Sequence, residues 1–150
     1  MIAATREVTL ETKGDGDVLD LTAQVTGFVA QSGVATGLVA VTVIGSTAGI
    51  TTIEYEPGLV DDLRKAFERV APSGVAYAHD NRWGDGNGHA HVRAAMLGPS
   101  VTLPVVQGKV VLGTWQQVVL VDFDTRPRTR VVVVQVLGEQ RRRLPPVVRA

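Results

Sequence analysis

The sequence predicts an α+β fold in a single domain, built mainly from antiparallel β-sheets with two main helices and a short third helix. The composition is rich in Val and 45% hydrophobic with only 5% aromatic residues, which suits strands. Several segments alternate apolar and polar residues with the period of two expected of a half-buried strand. Others repeat apolar residues every three or four positions, as one helix face does.

Ile2 to Thr12 alternates Val8 and Leu10 with Arg6, Thr9 and Glu11, so it reads as a half-buried strand closed by Gly14-Asp15-Gly16. From Asp17 the spacing changes to Val18, Leu21, Val25 and Phe28, which predicts a helix with Asp17 as N-cap and Gly33 as terminator. Leu38 to Ile44 is a continuous apolar run, expected to be a central strand covered on both faces. Gly45 to Gly49 interrupts it, and Ile50 to Glu56 reads as a further strand. Pro57 then opens a helix through Ala71, with Leu59, Leu63, Phe67 and Val70 on one stripe and a solvated charged face opposite.

Val92 to Leu97 is the short third helix, stopped by Gly98-Pro99. Strands are expected over Ser100 to Val106, Lys109 to Gly113 and Gln116 to Phe123, with Gln107-Gly108 as a tight turn. A last strand, Thr129 to Leu137, should lie deep in a sheet. The domain spans residues 1–138, and residues 139–150 read as a flexible C-terminal tail.

At 150 residues the chain can bury a substantial core without disulfides. Having no Cys, it has no thiolate nucleophile or thiolate metal site. Fifteen basic residues balance fifteen acidic ones, so no global field draws it to nucleic acid or an anionic membrane. No apolar run approaches the roughly 20 residues that span a bilayer, and a cytoplasmic location is expected.

Chemistry concentrates between Tyr77 and His91, which holds all three histidines in a loop rich in Gly, Asp and Asn. Imidazoles converging from a rigid frame can ligate a metal. His79 with His91 is the favoured pair and His89 a further candidate. If the helix has already begun at His89, only one of His89 and His91 can join His79. The same cluster suits acid/base work with Glu54, Glu56 or Asp62, or simply caps the short helix and satisfies loop backbone. Ser46 and Thr47 lie in a turn whose amides and hydroxyls can receive an anion, though such a turn is as readily structural. Arg126, Arg128 and Arg130 alternate, and so either contact phosphate or pair with Asp122 and Asp124. Trp83 is placed to stack a ligand ring. Trp115 and Gln116 either line a pocket or belong to core or interface.

Together these motifs resemble the YjbQ family, whose members are described as having a secondary thiamine-phosphate synthase activity. The resemblance rests on Ser46-Thr-Ala-Gly-Ile50, Glu54, Asp62-Leu63, Tyr77-Ala-His-Asp80, Asn87-Gly-His-Ala-His91, Leu97-Gly98, Pro104, Leu112-Gly-Thr-Trp-Gln116, Arg128 and Arg130. It implies an α+β homotrimer with a histidine site near the subunit junction. Joining an aminopyrimidine methyl diphosphate to a thiazole phosphate is the activity it implies, with a non-catalytic metal- or small-ligand-binding homotrimer as the alternative. In that reading His79, His91 and Glu54 are catalytic. His79, His89 and His91 hold a divalent metal, zinc or magnesium. Ser46, Thr47, Trp83, Gln116, Arg128 and Arg130 bind a small phosphorylated molecule. The chain departs from the family at Gly45, where many members carry a third histidine, and His89 is the residue expected to compensate.

Overall fold

The computed structural model describes residues 1–140. Most of the expected tail, 141–150, lies outside the described residues. In chain order the elements are β1 (Ile2–Thr12), β2 (Asp17–Asp20), α1 (Thr22–Ser32), β3 (Val34–Ile44), β4 (Ala48–Ile53) and α2 (Pro57–Val70). They continue with α3 (Ala78–Trp83), α4 (Gly88–Leu97), β5 (Ser100–Val106), β6 (Lys109–Val110), β7 (Gln117–Asp122) and β8 (Arg128–Gln140). The last strand therefore takes in Glu139 and Gln140, which the sequence assigned to the tail.

The strands form two antiparallel sheets, one ordered β1-β8-β3-β5-β6 and a smaller one ordered β2-β7-β4. Register places Val39 opposite Val136, Val41 opposite Val134 and Val43 opposite Val132. All six are buried, and with Val25 and Val29 of α1 and Ile50, Val118 and Leu120 of the small sheet they form the main core. Because the side-chain period of a strand is two, the intervening Leu38 and Ile44 point the other way and are half exposed. The expectation that Leu38 to Ile44 is covered on both faces is thus corrected. An antiparallel sheet needs cover on one face only. The strand with cover on both faces is β7: Val118 and Leu120 enter the main core. Val119 and Val121 enter a second core with Val18, Ala90, Ala94 and Phe123, against which Leu63 and Phe67 pack.

Three further expectations change. The helix predicted from Asp17 begins only at Thr22, because Asp17 to Asp20 pairs with β7 from Asp122 to Val119. Asp17 caps no helix, and its carboxylate accepts from the Lys13 amide at 2.8 Å. The third helix starts at Gly88, ahead of Val92, and a fourth helix, α3, occupies the stretch read as loop. β6 is two residues long rather than reaching Gly113. The turn before it is as expected: Gln107 and Gly108 both have left-handed φ, 53° and 77°, the requirement of a two-residue hairpin loop. No helix among the described residues is long and apolar enough to cross a membrane.

Candidate functional site

α3 and α4 meet through a short connection that the sequence makes tight. Gly84 ends α3 with φ 69° and Gly86 follows with φ 65°. Asp80 of α3 then accepts a hydrogen bond from the Gly88 amide at 2.8 Å, so its carboxylate fixes the first turn of α4, where negative charge is favoured. The two helices thereby bring His79 and His91 together, with ring centroids 4.2 Å apart and planes inclined at 46°.

Two further groups converge on this pair. His79 Nε2 lies 3.7 Å from Asp85 Oδ1. One terminal position of the buried Asn87 amide lies 3.3 Å from His79 Nε2 and 3.0 and 3.2 Å from the two Asp85 oxygens. With nitrogen there, the amide donates to these acceptors. With oxygen there, the facing lone pairs need a proton on His79 Nε2 or a cation between them.

His89 takes no part in this arrangement, which corrects its expected place as a metal ligand and as a substitute for the missing imidazole at Gly45. The helix has begun by residue 88, and residues two apart on a helix point about 200° from each other. His89 is buried on the opposite side beside Tyr77, with no hydrogen-bond partner for its Nδ1. Burial, reinforced by the neighbouring Arg93 guanidinium, pushes its pKa below the ordinary 6.5.

Two openings flank the histidine pair. Gly45, Ser46, Ala48, His91, Ala94, Ala95 and Pro99 line one of about 340 Å³. Asp85, Asn87, Asp124, Thr125, Arg126 and Arg128 line the other, about 160 Å³. Ser46 lines the first of these openings and Arg128 the second. Gly45 has φ 137°, and a Cβ there would lie 2.9 Å from Arg130 Nη1.

The remaining sequence candidates are placed differently. Arg130 and Thr47 are buried in a structural network, so they are corrected as ligand-binding residues. Arg130 binds Asp122 through Nε at 2.7 Å and Nη2 at 2.8 Å, and Nη2 also donates to Thr47 Oγ1 at 2.7 Å. Thr47 in turn donates to Asp124 at 3.0 Å, and Thr12 donates to Asp122 at 2.6 Å. Arg128 is also paired, with Nε 2.8 Å from Asp124 Oδ2. The aspartates, rather than a phosphate, are what both arginines contact.

Glu54 and Gln116 lie at the far end of β4 from Ser46, separated by its six residues, roughly 20 Å of strand. Within one chain Glu54 therefore cannot act with His79 and His91. Gln116 bonds Thr52 Oγ1 and the Gly113 amide. Trp83 is 65% exposed, with the Arg82 guanidinium 5.3 Å from its ring centroid, and forms no wall of either opening. Asn87 is the site residue that sequence reasoning missed, since an Asn between Gly86 and Gly88 reads as an ordinary turn residue.

Among the described residues no three His, Asp or Glu side chains converge closely enough to form a full metal-ligand set. What the described residues offer a cation is the paired imidazoles of His79 and His91, with the Asp85 carboxylate and the Asn87 amide nearby but not converged with both into one ligand set.

The profile of the UPF0047 protein YjbQ-like family matches residues 6–139. A UPF0047 protein of Archaeoglobus fulgidus is 40% identical over 131 residues, covering 87% of this chain and 99% of the relative. The crystal structure of a YbjQ-like protein of unknown function from Sulfolobus solfataricus superposes with a TM-score of 0.86 at 33% identity, covering 91% of this chain and 98% of the other. A hypothetical protein from Aeropyrum pernix gives 0.83 at 34% identity, with coverage of 91% and 99%. These proteins bear descriptions without a reaction, and the S. solfataricus protein is of unknown function. The expected thiamine-phosphate synthase-like function is accordingly overturned: the likeness carries the fold and the family but no such activity. On sequence and structure alike, the chain belongs to the UPF0047 YjbQ-like family.

Proposed function

We propose that the junction of α3 and α4 is a divalent-cation site held by the paired imidazoles of His79 and His91, with Asp85 and Asn87 beside them. The observation that carries this reading is the pairing of the His79 and His91 rings, centroids 4.2 Å apart, with Asp85 Oδ1 3.7 Å from His79 Nε2. Imidazole nitrogen favours zinc over magnesium, which takes oxygen and dehydrates reluctantly. A cation bound there would supply a Lewis acid to an anionic ligand. The exposed Arg126 borders the adjoining opening, which supports a small phosphorylated molecule as that ligand.

Elemental analysis after incubation with zinc tests the cation site. Stoichiometric zinc in the parent, lost in His79→Ala and His91→Ala and kept in His89→Ala, is the expected result. A parent that binds no zinc, or an equal loss in the His89 variant, defeats the reading.

Assembly as a homotrimer belongs to the same proposal. It is supported by the open face of the larger sheet, where Leu38, Ile44, Val106 and Leu137 are each about half exposed. Apolar side chains gathered on one sheet face mark an interaction surface.

A further inference from the structure

The helix α2 carries a full apolar stripe, yet none of its residues is buried. A helix with such a stripe ordinarily closes onto the sheet beneath it. Here Phe67 touches Phe123 edge-on, with centroids 4.7 Å apart, and beside that contact a cavity of about 250 Å³ separates α2 from β2 and β7. Val18, Val121 and Phe123 form its apolar floor, and Leu63 and Phe67 its wall.

The rim is charged. Arg93 enters from α4 and is 5% exposed. Its Nε donates to Ala71 O at 2.9 Å and its Nη2 to Glu68 at 2.5 Å, while Nη1 makes no hydrogen bond among the described residues. Arg64 uses Nε on Gly16 O at 3.0 Å, which leaves both terminal nitrogens. Lys65 also borders the cavity, but its ammonium is paired with Asp61 at 2.5 Å; Glu68 and Asp15 are the acids at the rim.

We propose that this cavity is a second binding site, for a small organic carboxylate with a single-ring or branched aliphatic body. The apolar body packs against Phe67 and Phe123, and the carboxylate takes the unused guanidinium nitrogens of Arg93 and Arg64. Size agrees: a cavity of about 150 Å³ holds benzene, so this one accommodates a ring with a carboxylate arm. Inorganic phosphate would leave the apolar floor uncovered, and an amine would bring no acceptor to the unused guanidinium nitrogens of Arg93 and Arg64. Neither His79 nor His91 lines the cavity, so the site stands independently of the proposed cation site.

The test is titration of the full chain with phenylacetate, followed by amide NMR, with 2-phenylethylamine and inorganic phosphate as comparison compounds. Saturable shifts at Val18, Val121, Phe123 and α2 are expected with phenylacetate alone. Arg64→Gln should weaken binding roughly tenfold. Leu63→Trp, which fills the cavity from its rim and removes no charge, should abolish it. His79→Ala should leave it unchanged. No saturation by about 10 mM phenylacetate, equal shifts with the amine, or undiminished affinity in Leu63→Trp would overturn the proposal.

Discussion

Arg130 and Asp122 hold each other through two parallel bonds of 2.7 and 2.8 Å, with the aspartate fully buried and the arginine 7% exposed. Removing one member of such a pair strands the other charge away from water, at a cost of about 3–5 kcal/mol. Asp122→Ala should therefore lower the unfolding free energy by that amount in urea denaturation. Arg128→Ala should cost less, since the buried Asp124 carboxylate it leaves still accepts from Thr47 Oγ1 and the Thr125 amide. Equal losses in the two variants would count against the buried pair as the dominant contribution.

The same network sets the response to acid. Burial alone would raise the Asp122 and Asp124 pKa values. The bonds from Arg130 and Thr12 to the first, and from the Thr125 amide and Arg128 to the second, outweigh it and hold both below the ordinary 3.8. Each acid group's stabilisation is complete above 3.8 and is lost as pH falls through the lower folded value. His89 acts in a higher window. Its folded pKa lies below 6.5, so the unfolded chain takes up the proton first and stability declines as pH drops through 6.5. A plot of unfolding free energy against pH should show two declines, and His89→Gln should remove the upper one alone. An unchanged upper decline in that variant would assign it elsewhere.

The fold class was legible because the long strands and α2 carry strong local periodicity. β2 was not, since Val18 and Leu21 fit a helical spacing equally well and only pairing with the distant β7 decides between the two. At the site, His79 and His91 stand out as residue types in a polar stretch. Their meeting depends on a helix start at Gly88, which Asp80 fixes from α3. That same helix start turns His89 away. Asn87 could not be singled out, because its role comes from the atoms that surround its amide and not from its neighbours in sequence. Arg130 shows the opposite limit: its alternation with Arg128 was visible, but the choice between phosphate and Asp122 rests on burial.

Asn87 gives a direct handle on the proposed cation site. Its amide either donates to His79 and Asp85 or offers oxygen to a cation, whereas a carboxylate in its place can only accept. Asn87→Asp should thus tighten zinc binding roughly tenfold or more at neutral pH, and should destabilise the metal-free protein through repulsion with Asp85. Calorimetric zinc titration together with thermal melts, with and without chelator, separates the two effects. A variant with weaker zinc binding would show that the amide nitrogen, not the oxygen, faces the site in the bound state.

The open face of the larger sheet supplies the last prediction. Register sets Ala3 beside Leu137, Leu137 beside Leu38 and Leu38 beside Pro104, an unbroken apolar row across β1, β8, β3 and β5. Leu38 is 51% and Leu137 46% exposed in the single chain, so a charge at either position costs the monomer little. Buried in a subunit interface, the same charge would lose its hydration without a partner. Leu38→Lys and Leu137→Glu should accordingly convert the proposed trimer to monomers in light scattering while the far-UV circular dichroism stays that of the parent. Trimers that persist in both variants would remove this face as the interface.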